Sequence, residues 1–98
     1  MTRSVEFDPA ARAETEAAFE WYLERSRRAA ADFVAELGRA LDRIAQAPQT
    51  FARVDGDTRR AVLRHFPYLV VFRETASRIE IIAVAHGRRK PGYWRGRL

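Results

Sequence analysis

The chain has 98 residues, 47% of them hydrophobic, with a formal net charge of +5 and no cysteine. That length suits one domain with a modest core. The missing thiols exclude a disulfide framework and a thiolate metal site. No apolar run approaches the roughly 20 residues needed to cross a bilayer. The opening residues carry no apolar leader, so the expectation is one cytoplasmic domain over residues 1–98 with no membrane partner.

Charge is unevenly shared. Residues 1–50 hold 7 Arg against 9 Asp and Glu (net −2), and residues 51–98 hold 10 Arg and 1 Lys against 4 acids (net +7). The second half therefore points to an anionic partner. Arginine, with its planar fork, supplies 17 of the 18 cations, although an arginine-rich codon usage gives the same bias.

Taken in order, Val5 and Phe7 alternate with Ser4 and Glu6, the pattern of a short strand with one buried face. Asp8-Pro9 reads as an N-cap followed by proline in the first turn, so a helix is expected from Pro9 to about Arg25. Its apolar stripe is placed on Ala10, Ala13, Ala17 and Trp21, beside Ala18 and Tyr22; Glu14, Glu16, Glu20 and Glu24 are assigned to the exposed side. After a break at residues 25–28, Ala30, Phe33, Val34, Leu37, Leu41 and Ile44 recur at helical spacing from Ala29 to Ala47, and Pro48 ends that helix. A helical hairpin follows.

Residues 49–57 read as a loop turning at Asp55-Gly56. Three strands are then expected, at residues 58–64, 68–73 and 78–85, forming an antiparallel meander. In the last of these, Ile79, Ile81, Ala83 and Ala85 are placed on one face, with Glu80, Ile82 and Val84 on the other. The expected class is α+β in the order β-α-α-β-β-β. The first strand joins an edge of a small antiparallel sheet, and the helical hairpin covers one face.

The stretch Ala83-Val-Ala-His-Gly-Arg-Arg-Lys-Pro-Gly-Tyr-Trp94 leaves the last strand loaded with cations and aromatic rings. A rigid strand exit is a natural place to present a recognition surface. Arg60, Arg64, Arg73, His86, Arg88, Arg89, Lys90, Tyr93 and Trp94 are the candidate target-binding residues. The alternative is a solvated sheet face on which arginine stems pack. His86 has no acid beside it in sequence to orient its ring, and His65 before Phe66-Pro67 reads as a turn residue. Neither histidine sits at metal-ligand spacing, and no phosphate-cradling glycine loop is present. No cofactor or metal is expected. Trp21 and Tyr22 either pack in the core or line a groove for a partner.

Five segments in register, Val5-Glu-Phe-Asp-Pro-Ala10, Ala18-Phe-Glu-Trp-Tyr22, Phe33-Val-Ala-Glu-Leu37, Arg64-His-Phe-Pro-Tyr-Leu-Val-Val-Phe72 and Ala83 to Trp94, resemble the ParE/RelE superfamily of type II toxins, in the branch labelled plasmid stabilisation proteins. The resemblance implies two helices on a small antiparallel sheet. It implies a toxin held by a cognate ParD-like antitoxin, for which Trp21, Tyr22, Phe33, Leu37 and Tyr68 are the candidate contacts. In the RelE branch it would imply a ribosome-dependent mRNA endoribonuclease, using Arg60, Arg64, His86, Arg88, Arg89 and Tyr93. That branch usually carries an arginine near the position of Leu69, so the apolar residues there favour the ParE branch and DNA gyrase as target. A non-toxic family member that only binds its antitoxin is the third expectation.

Overall fold

A computed structural model of the chain describes residues 3–98. The elements are β1 (Ser4–Phe7), α1 (Pro9–Arg25), α2 (Arg27–Gln46), β2 (Arg53–Asp55), β3 (Thr58–Val62), β4 (Tyr68–Glu74) and β5 (Arg78–His86). A short 3-10 turn, Tyr93–Arg97, lies near the C-terminus. The helical hairpin packs on a five-stranded sheet of order β1-β5-β4-β3-β2. The α+β class therefore stands. No helix is long and apolar enough to cross a membrane among the described residues.

Local signals account for the hairpin. The Asp8 carboxylate accepts from the Ala10 N–H at 2.8 Å, which starts α1 beside Pro9. Ser26 alone separates the helices. Its N–H donates to the Tyr22 carbonyl and its hydroxyl accepts from the Ala29 N–H at 3.1 Å, so one residue ends α1 and caps α2. On α2 the buried residues Ala30, Phe33, Leu37, Ala40 and Ile44 recur at steps of three and four, whereas Val34 stands 51% exposed beside the stripe.

Three expectations are corrected. First, α1 is rotated relative to the expected stripe. Ala11 and Ala18 are buried with Tyr22 beside them, while Ala13, Ala17 and Trp21 face outward. Alanines occur all round this helix, so their spacing selects no face; the neighbouring elements do. Second, the sheet is mixed. β1 pairs with β5 in parallel, in register Ser4 to Arg78 through Phe7 to Ile81. The helical hairpin and β2–β4 all lie between them in the chain, so the long connection a parallel pair requires is supplied. Within the segment read as a loop, Arg53–Asp55 adds an edge strand antiparallel to β3.

Third, β5 is bulged. Val71 pairs with Ala83 but Phe72 pairs with Ile81, leaving Ile82 as the extra residue. The alternation therefore flips along the strand. Ile79, Ile81 and Val84 join Phe33, Val70 and Phe72 under the helices. Ile82, Ala83 and Ala85 face the other side with Val71, where Trp94 covers them. A strict period of two assigns the residues after the bulge to the wrong face.

Candidate functional site

β1 ends at Phe7, opposite Ile81, whereas β5 runs on to His86. Two side chains complete the backbone pairing of β5 where its neighbour stops. The Glu14 carboxylate of α1 accepts from the Val84 N–H at 3.0 Å, and the Arg97 guanidinium donates to the Ile82 carbonyl at 3.0 Å. Arg97 also grips Glu14 with two hydrogen bonds, at 2.9 and 3.0 Å, and the Tyr93 hydroxyl donates to the same carboxylate at 2.6 Å. Burial alone would raise the Glu14 carboxyl, but the hydrogen bonds from Arg97, Tyr93 and Val84 outweigh it and hold it below its ordinary value. Burial, reinforced by Glu14, pushes the Tyr93 hydroxyl up to about 12.

This anchor fixes the course of the C-terminal segment. The Arg89 N–H closes on the His86 carbonyl at 3.0 Å, and Gly92 turns the chain at φ 79°, a left-handed conformation that favours glycine. Trp94 is then delivered onto Val71, Ile82, Ala83 and Ala85 and is only 3% exposed. The result is a cleft of ≈ 250 Å³ on the face away from the helices. Half-buried Leu69 and exposed Val54 give its accessible apolar surface, over the buried Val71 and Ala85; Arg60, Arg89 and Lys90 stand at its rim.

A second groove, of ≈ 460 Å³, opens between α1, the start of β4 and the end of β5. Ala17, Trp21, Tyr22, Tyr68, His86 and Arg89 border it. Edge-to-face rings run beneath it: Trp21 to Tyr22 at 5.1 Å, Tyr22 to Phe66 at 5.0 Å and Tyr68 to His86 at 5.1 Å. The Arg25 guanidinium lies 3.7 Å from the Trp21 ring centre, and Trp21 remains 51% exposed.

The candidate residues divide between these places. Arg60, Arg89 and Lys90 meet at the cleft, and Arg88 lies exposed beside them. His86 sits across from Tyr68, between the two openings, with its Nδ1 accepting from the Arg88 N–H at 3.0 Å. Arg64 lies in the β3–β4 turn and lines neither opening. Arg73 is taken by Glu80 at 2.8 Å, its cross-strand neighbour. Trp94 is a core residue and not an exposed contact. Trp21, Tyr22 and Tyr68 border the helix-side groove, but Phe33 and Leu37 are buried in the core and offer no surface.

Three residues with decisive roles, Glu14, Glu36 and Arg97, are absent from the expected set. The sequence expectation places Glu14 on the exposed side of α1, and no local pattern separates it from Glu16 or Glu20. Glu36 is buried at 6% exposure and accepts from the Arg64 and His65 N–H groups and bonds the His65 ring, which pins the β3–β4 turn. An acid between Ala35 and Leu37, one step from the stripe, was the available signal. Among the described residues, no three His, Asp or Glu side chains converge as a metal site would require.

The architecture is thus that of a small α+β module with an aromatic groove on its helical side and a cationic cleft on the opposite face. Residues 5–91 match the family model described as the ParE toxin of the type II toxin–antitoxin system parDE. The chain belongs to that family. Two relatives named Toxin ParE2, from Mycobacterium tuberculosis strains CDC 1551 / Oshkosh and ATCC 25618 / H37Rv, are each 45% identical over 49 residues, 50% of this chain and 47% of theirs. The chain matches about half the length of these relatives. A solved structure from the chromosomal ParDE TA system of P. aeruginosa superposes with a TM-score of 0.74 at 18% identity, over 87% of this chain and 96% of that one. At that identity the likeness speaks for the fold.

Proposed function

We propose that the chain is a ParE-type toxin that acts by docking on a cytoplasmic target, DNA gyrase, and is neutralised by a ParD-like antitoxin. The family match over residues 5–91 carries this reading. Of the RNase candidates, Arg60, His86, Arg89 and Tyr93 line the cleft with Arg88 exposed beside them, but two features support docking over catalysis. Arg64 is not among the residues lining the cleft, and a Tyr93 hydroxyl raised to about 12 and bonded to Glu14 is a poor general base at neutral pH. The exposed Trp21 and the groove beside it suit an apolar helix or strand of the antitoxin, and Arg60, Arg88, Arg89 and Lys90 suit the target.

The test is induction in a bacterium without antitoxin, with supercoiling by purified gyrase measured alongside. Growth arrest with blocked supercoiling and intact transcripts is expected. Codon-associated mRNA cleavage on ribosomes would install the RNase reading instead. Harmless expression would leave an antitoxin-binding, non-toxic family member. Trp21→Glu is expected to abolish antitoxin capture while growth arrest persists.

A further inference from the structure

The helix-free cleft is the place where unpaired positive charge meets apolar surface. Arg60 comes from β3, while Arg89 and Lys90 come from the segment after β5, so cations flank an accessible aliphatic floor of Leu69 and Val54 from two sides. Val62, directly across from Leu69, is 62% exposed and continues that floor outward. Among the described residues no carboxylate pairs with Arg60, Arg88, Arg89 or Lys90. The nearby acids are engaged elsewhere: Asp55 holds Arg95 at 2.9 Å and Glu14 holds Arg97. The Arg89 guanidinium lies 3.9 Å from the Tyr93 ring centre, which fixes its position and leaves its edge to face a ligand.

We infer that this cleft binds an acidic peptide segment, seating one aliphatic side chain on the floor while flanking carboxylates meet Arg60, Arg89 and Lys90; the inference rests on the docking function proposed above and names its chemistry. Volume and ring placement decide against the competitors. The ≈ 250 Å³ available lies below the about 300 Å³ at which small-molecule sites begin. Single-stranded nucleic acid needs exposed ring faces for its bases. Here Trp94 is buried, the Tyr93 ring carries Arg89, and Trp21, Tyr22 and Tyr68 belong to the other groove. An aliphatic floor gains from a leucine or isoleucine and gives a base nothing to stack on.

The test uses the full chain and fluorescence anisotropy with three probes. These are a short labelled peptide of glutamates and serines around one leucine, the same peptide with serine in place of that leucine, and a single-stranded DNA oligomer of equal charge. The leucine peptide is expected to bind best. Loss of its leucine should weaken binding about tenfold or more. Arg60→Glu with Lys90→Glu should weaken it by a similar factor at unchanged melting temperature, because both side chains are exposed. Tighter binding of the oligomer, indifference to the leucine, or no binding would overturn the proposal. A chain that arrests growth yet ignores the peptide loses this inference and keeps the toxin reading. A chain that binds the leucine peptide yet grows harmlessly keeps the cleft chemistry and loses the toxin reading.

Discussion

Replacing Glu14 with alanine removes the group that joins α1, β5 and the C-terminal segment. Its carboxylate accepts from the Val84 N–H, the Tyr93 hydroxyl and both terminal nitrogens of Arg97. A hydrogen bond to a charged group contributes about 1.5–3 kcal/mol, but four bonds to one anion do not add. Truncating one partner of a fully buried ion pair costs about 3–5 kcal/mol. The two side chains here are 17% and 20% exposed, so residual solvent lowers the expected cost to about 2–4 kcal/mol. A domain of this size shifts by about 4–8 °C per kcal/mol, so a fall in melting temperature of roughly 8–32 °C is expected.

Urea unfolding at neutral pH measures that loss directly, and the double variant with Arg97→Ala should show coupling of about 0.5–3 kcal/mol. The pH dependence supplies a second check. The folded Glu14 carboxyl titrates below its ordinary value of 4.5, so the unfolded chain takes up the proton first. The contribution is whole above that ordinary value and is lost as the pH falls through the folded one. Glu14→Gln should therefore lose less stability than the parent chain on acidification. A cost below about 0.5 kcal/mol at neutral pH, or an acid response in Glu14→Gln identical to the parent, would refute the reasoning.

Glu36→Ala should free the Arg64 and His65 amides, costing about 1–3 kcal/mol and raising their hydrogen-exchange rates ahead of the rest of the sheet. Trp94→Ala should cost about 3–5 kcal/mol in chemical unfolding, because the ring is 3% exposed on Val71 and Ile82; an effect near zero would return Trp94 to the surface. Gly92→Ala meets φ 79° and sets a new Cβ against the Arg95 guanidinium. Arg95 can swing away by releasing Asp55, so the backbone strain remains as a loss of about 1–2 kcal/mol, readable as a lowered melting temperature. The same Gly92→Ala chain should keep the antitoxin capture proposed for the helix-side groove, since that groove does not include this turn.

Much was legible in the sequence because the signals are local. Asp8-Pro9 caps its own helix, the steps of three and four on α2 name most of its buried side, and three strands stand out at residues 58–64, 68–73 and 78–85. Family membership was legible too, carried by segments spread along the chain. The tertiary structure alone decided what depends on which element lies opposite. The bulge at Ile82 reverses the faces of the residues after it, and alanines around α1 leave its orientation to be set by β5 and α2. Glu14 and Arg97 find each other across the fold because one edge of β5 outruns its neighbour and its backbone groups demand partners. Short-range pattern therefore specified the pieces, while the need to satisfy buried polar groups at their junctions fixed which charges are spent inside and which remain at the cleft.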